Sequence, residues 1–169
     1  MDRVFEEVAE ANELEYMNTM VRVSILRDLP KVSVGGRTWE NLKKGDVILV
    51  WQWVGETLVS ERVAEYVDKP LSPQQLLQIE WRERNNPSEL QNLGKHFYCE
   101  MRRVLRSGHG EEIRRKQMDI ITLRMMKVVQ LAAKRIGGDV LRRMTPEEHA
   151  LYERVLSTVN EWIEAVAGR

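Results

Sequence analysis

Cysteine occurs once in the 169 residues, at Cys99. That excludes an internal disulfide and any thiolate zinc cluster, and it agrees with a reducing compartment. An excess of charge of one sign is missing too: 26 basic and 26 acidic side chains cancel. No global field therefore draws the chain to nucleic acid or membrane, and any such contact is local. The longest apolar run, Val47-Ile48-Leu49-Val50-Trp51, is far short of the roughly 20 residues that a spanning helix needs, and the first residues are acidic where a signal peptide is basic. A soluble, intracellular protein is the expectation. The sequence also lacks a Gly-x-Ser-x-Gly elbow, a P-loop and a dinucleotide fingerprint. His96, His109 and His149 are scattered; His96 and Glu100 share a helix face at i, i+4, but a zinc site wants three or four ligands. Ser107-Gly108-His109-Gly110 precedes a helix, yet Glu111 and Glu112 in its first turn repel an anion, so it reads as an interhelical turn. No catalytic residue, metal or cofactor is assigned, and the chain reads as a non-enzyme.

What the sequence does contain is a change of period at residues 68 to 72. Before it, Val21 to Leu26 and Lys31 to Val34 alternate apolar with polar, as half-buried strands do. Gly35-Gly36 marks a hairpin turn, Lys44-Gly45-Asp46 a second turn before a strand at 47 to 51, residues 53 to 63 suit a short helix, and 64 to 67 a last strand. Residues 2 to 16 read as an acidic amphipathic leader helix. After Asp68-Lys69-Pro70 apolar residues recur at three and four. Ser72-Pro73-Gln74-Gln75, Asn86-Pro87-Ser88-Glu89 and Thr145-Pro146-Glu147-Glu148 share one helix-start design: a capping oxygen, proline at the first helical position, and Glu or Gln three residues after the cap. Four helices are expected at 73 to 84, 88 to 106, 111 to 136, stopped by Gly137-Gly138, and 146 to 167. The fold class is thus α+β, a small N-terminal β-rich module (1–69, with its leader) followed by a C-terminal helical bundle (70–169).

Two features can carry binding. Arg102, Arg103 and Arg106 end one helix and Arg114, Arg115 and Lys116 begin the next, a cluster that either holds phosphates or simply complements a helix dipole and is solvated. The second is surplus apolar surface. Eight methionines and five tryptophans exceed what one stripe per helix in a roughly 100-residue bundle can bury. Met118, Met125, Met126, Val129, Tyr152 and Trp162 are the candidate subunit contacts.

In the small module, Val21 to Pro30, Gly35-Gly36, Lys44-Gly45-Asp46 and Trp53-Val54 leading to Leu58 resemble the B domain of the GINS replication-factor family. In the helical part, His96-Phe97-Tyr98, Arg124 to Ala132, and Met144-Thr145-Pro146-Glu147-Glu148 with Leu151-Tyr152 resemble its A domain. The order of these loose motifs along the chain is the specific part, and the acidic stretch before Met17 departs from the pattern. The resemblance implies a B-domain-first, archaeal-like subunit related to the Psf two and Psf three branch. It implies pairing with an A-domain-first GINS subunit in a two-plus-two heterotetramer, without catalytic residues. Such a subunit is a scaffold in the replisome, a helicase accessory factor linking the minichromosome maintenance helicase to a RecJ-like fork factor, cytoplasmic and nucleoid-associated if archaeal, nuclear if eukaryotic. DNA contact is then indirect or weak. A DNA-binding regulator using the basic cluster is the alternative, and an unrecognised small enzyme would need a deep pocket of convergent polar groups.

Overall fold

The computed structural model describes residues 3–106 and 110–168. It divides into two compact units, Glu13–Pro70 on one hand, and the segment through Asn12 together with Leu71 onward on the other.

In the smaller unit, β1 (Met20–Ile25) is the central strand of an antiparallel sheet ordered β4-β1-β5, with β4 at Val47–Trp51 and β5 at Ala64–Tyr66. Val23 pairs with both Ile48 and Tyr66. Strands β2 (Leu29–Val34) and β3 (Arg37–Leu42) form a separate hairpin. Helix α2 (Gln52–Ser60) supplies Val54 and Leu58 to a core with Val23, Ile25, Ile48, Val50 and Ala64. The alternation seen in the sequence is realised on β1, where Val23 and Ile25 are buried and Arg22 is exposed, and the all-apolar β4 also buries Ile48 and Val50 while Val47 and Leu49 stand outside.

The hairpin turn is Gly35-Gly36, both residues in the left-handed region at φ 59° and 76°. A two-residue loop between paired Val34 and Arg37 requires positive φ twice, which only glycine adopts without strain. Gly35 also lies against two tryptophans: a Cβ there would come within 2.8 Å of Trp51 and 3.1 Å of Trp53. Those rings stack at 6.1 Å between centroids and 7° between planes, and the Arg37 guanidinium sits 4.7 Å above Trp51. Part of the aromatic surplus is therefore consumed inside this unit.

The larger unit contains α3 (Pro73–Asn85), α4 (Phe97–Arg106), α5 (Glu111–Ala133), a 3₁₀ turn (Gly138–Arg143) and α6 (Pro146–Ala167). Two of the three proline starts fold as read. Ser72 and Gln75 close a capping box ahead of α3, and Thr145 and Glu148 close one ahead of α6. Asn86-Pro87-Ser88-Glu89 does not: only a turn forms, with the Glu89 amide on the Asn86 carbonyl at 3.2 Å, and the helix expected from residue 88 begins at Phe97. The carbonyls that a helix here would use internally are taken by side chains instead. Glu89 O accepts from Lys127, Leu90 O from Arg143 and Gln91 O from Arg124. The end of α5 also differs. The left-handed residue is Arg135 (φ 56°), not the glycine pair, and the Ile136 amide returns to the Leu131 carbonyl at 2.9 Å.

The leader forms α1 (Val4–Met17). Expected wholly with the small module, it is instead grouped with the helices through Asn12. Asn12 is buried, donates to Lys95 O and Glu147 Oε1, and shares a 2.8 Å hydrogen bond with His96 Nδ1, which anchors that turn in the helical unit.

Gly35→Val should cost about 1–3 kcal/mol, the range for a strained non-glycine φ, and should blue-shift tryptophan fluorescence little while lowering Tm. A Tm equal to that of the parent chain would show that the turn does not need glycine.

Candidate functional site

The middle of α5 carries two cations facing inward. Arg124 is fully buried, and Lys127 nearly so, among Ile120, Val128 and Ala132. Arg124 reaches four segments: Nε and Nη2 grip both oxygens of Glu148 on α6, Nη1 donates to Glu83 on α3 at 2.6 Å, and Nη1 and Nη2 also reach the Gln91 and Arg143 carbonyls. Lys127 bonds the other oxygen of Glu83 and the Glu89 carbonyl. Two cations and two carboxylates balance, and Tyr98 donates its hydroxyl to Glu148 at 2.7 Å. Burial opposes the charge on Arg124, but the Glu148 hydrogen bonds and the fields of Glu148 and Glu83 outweigh it and hold its pKa above the ordinary value. Burial first, then the Glu148 charge, pushes the Tyr98 phenol upward, so it is a fixed donor and not a base.

With the cations facing inward, the opposite face of α5 is apolar and outside. Met118, Met125 and Val129 follow at i, i+7 and i+11 with Met126 beside them, and all four are exposed, Met118 to 57%. On α6 nothing after Tyr152 is buried, so Val155, Val159, Trp162 and Val166 form a stripe that ends in open surface; Trp162 is 65% exposed. Leu77 and Trp81 make a further exposed i, i+4 pair on α3, unnoticed in the sequence although the same spacing rule finds it. Tyr152 is a correction to the candidate contacts. It is 3% exposed, packs with Leu90, Val128 and Ala132, and donates its hydroxyl to the Ile136 carbonyl.

The basic cluster is less uniform than the sequence suggests. Lys116 lies 3.5 Å from Glu80 and is half-buried, Arg102 donates to the buried Cys99 sulfur at 3.4 Å, and Arg103 stands in the field of Glu100, whose pKa burial raises. Arg106, Arg114 and Arg115 are exposed; Ser107, Gly108 and His109 lie outside the described residues. Among the described residues no group of three or more His, Cys, Asp or Glu side chains could hold a metal, and no helix is long and apolar enough to cross a membrane. A cavity of about 300 Å³ bounded by Tyr98, Arg102, Ile121, Met125, Glu147, Glu148 and Leu151 presents a mainly apolar surface, with its phenol already committed to Glu148.

Residues 70–167 match the family model for the GINS complex protein helical bundle domain. The chain belongs to that family. No curated protein matches it. In this GINS chain, the stretch from Arg124 to Ala132 that resembles the A domain is thus the helix that carries the buried ion network, and the matched span contains every candidate contact on α5 and α6. The sequence reading overlooked the network because Arg124 and Lys127 interrupt an apolar pattern. Their spacing of three, which puts both cations on one face of the helix, is the signal that was there, and Glu83 on α3 answers both of them.

Arg124→Met should cost about 3–5 kcal/mol in urea unfolding, because it leaves Glu148 buried without its cation and Glu83 with Lys127 alone. Adding Glu148→Leu should recover part of that loss, and strictly additive losses would disprove the coupling.

Acid should weaken the fold. Burial raises the pKa of Glu80, but hydrogen bonds and charge from Arg84 and Lys116 bring it below the ordinary 4.5. The amide of Lys44 lowers Asp28 and the Arg22 pair lowers Asp68, each from 3.8. Since the unfolded chain binds these protons first, their stabilisation is complete above the ordinary values and is lost as pH falls through the lower folded ones; Glu100, with its raised pKa, has the opposite sign. Tm should hold from neutrality down to 4.5 and decline below it, and a Tm that rises on acidification would refute the balance.

Proposed function

We propose that this subunit of the DNA replication GINS complex is a non-catalytic scaffold of the B-domain-first type, with the small β-rich module at Glu13–Pro70 ahead of the helical domain that begins at Leu71. Its A-domain face, Met118, Met125, Met126 and Val129 on α5 with Trp162 on α6, packs against an A-domain-first subunit in a two-plus-two assembly. The observation that carries this reading is the exposure of that face on a helix whose other side is filled by ions. Exposed apolar side chains following one another along a helix are what an obligate contact of about 2,000 Å² or more requires. The sheet unit preceding the matched helical span supports the domain order. By the same resemblance, the assembled complex joins the minichromosome maintenance helicase to a RecJ-like fork factor.

The DNA-binding alternative draws on Arg106, Arg114 and Arg115, which face solvent. It is the weaker reading, because Lys116 is held in internal ion pairs with Glu80 and Asp119.

Co-expression with an A-domain-first subunit should yield a stable complex whose mass, by light scattering, fits two copies of each. Met125→Glu and Trp162→Glu should abolish copurification while leaving the isolated chain folded by circular dichroism, since both side chains are already outside the core. A complex of unchanged mass in both variants would remove this face from the contact.

A further inference from the structure

On the other flank of α5 lies a cavity of about 380 Å³ between its C-terminal turns and the irregular 86–96 segment. Its walls divide by chemistry. Leu90, Leu131 and Ile136 are apolar, while Ser88, Gln130 and Lys134 bring a hydroxyl, a carboxamide and an ammonium to the same space, and none of the lining residues is acidic. The side chains of Ser88, Gln130 and Lys134 make no hydrogen bond or ion pair among the described residues. Lys127 closes the lining: two of its three protons go to Glu83 and to the Glu89 carbonyl, which leaves one donor. The nearest carboxylate in sequence, Glu89, is already held by Arg143 at 2.8 Å.

We propose that this cavity receives the carboxylate of an Asp or Glu side chain from a partner protein, with a large apolar residue beside it against Leu131 and Ile136. A carboxylate is acceptor-only and answers Lys134, Gln130 and Ser88 at once, which no basic or neutral side chain does. The apolar walls and the single uncommitted cation suit an acidic peptide segment better than nucleic acid, whose binding rests on several phosphate contacts spread along a surface. Lys127, Leu131 and Lys134 lie round the helix from Met118, Met125 and Val129, and the two surfaces meet where Gln130 follows Met126 at i, i+4.

The test uses the full chain and a fluorescein-labelled probe peptide, Ser-Leu-Asp-Glu-Leu-Phe-Ser, against its Asn/Gln counterpart, by anisotropy at low salt. The acidic peptide should bind about tenfold more tightly, the scale of one charge-assisted hydrogen-bonded contact. Lys134→Glu should erase that preference, Lys134→Arg should keep it, and Gln130→Ala should weaken it. Lys134 and Gln130 are exposed, so melting curves should coincide with that of the parent chain. Equal binding of the two peptides, or a preference that survives Lys134→Glu, overturns the proposal. So does a single-stranded oligonucleotide that displaces the peptide through Lys134, since the site would then belong to phosphate.

Discussion

The helical unit is organised around one guanidinium that cannot be left alone. Arg124 is 0% exposed, and an unpaired charge there would be intolerable, so α3, α6, the 86–96 segment and the 3₁₀ turn must each bring an acceptor to it. Glu148 is committed twice over. Its side chain closes the capping box that starts α6 and at the same time grips Arg124, so the start of that helix and its docking on α5 are set by one residue. Such a network specifies arrangement more than it adds stability, because hydrophobic replacements of matched shape often do as well. Its value here is that α3, α5 and α6 can meet in only one register.

The network also decides which faces are left over. A central helix in a bundle ordinarily turns its most apolar face inward. Here α5 turns inward Arg124 and Lys127 with Ile120, Val128 and Ala132, and the flexible methionines are outside. Burying ions where greasy side chains could have gone leaves the bundle with more apolar surface than an isolated domain has use for. Methionine suits such a face, since its unbranched, polarizable side chain adapts to an incoming surface.

Much of this was legible in the sequence, and the failures have particular causes. Alternation found β1 and β2, glycine chemistry found the hairpin turn, and the capping signature placed Ser72 and Thr145 because those caps are local events that involve only a few neighbouring residues. The same signature misled at Asn86, where side chains from residues 124, 127 and 143 claim the carbonyls; nothing within a few residues of Asn86 records that competition. Tyr152 looked like surface because it stands on the flank of the α6 stripe, and Leu90 from the irregular segment together with Val128 and Ala132 of α5 covers it. Met118, Met125, Met126 and Val129 were named from a surplus of apolar side chains over what one stripe per helix can bury, and all four are exposed.

The two surfaces of α5 differ in a way that bears on how the subunit is used. The methionine face offers shape and apolar area but few directional groups, so its partner must cover it broadly and stay, as in obligate assemblies. The cavity at Lys134 offers polar donors and a small apolar floor, which favours a short segment held by a few contacts and readily released. The scaffold role proposed above needs both kinds of contact. One must persist so that the assembly exists at all, and the other must exchange so that factors can be passed along it. On the reading proposed above, the helix that holds Arg124 carries both, and the buried ion pairs tie that helix to α3 and α6.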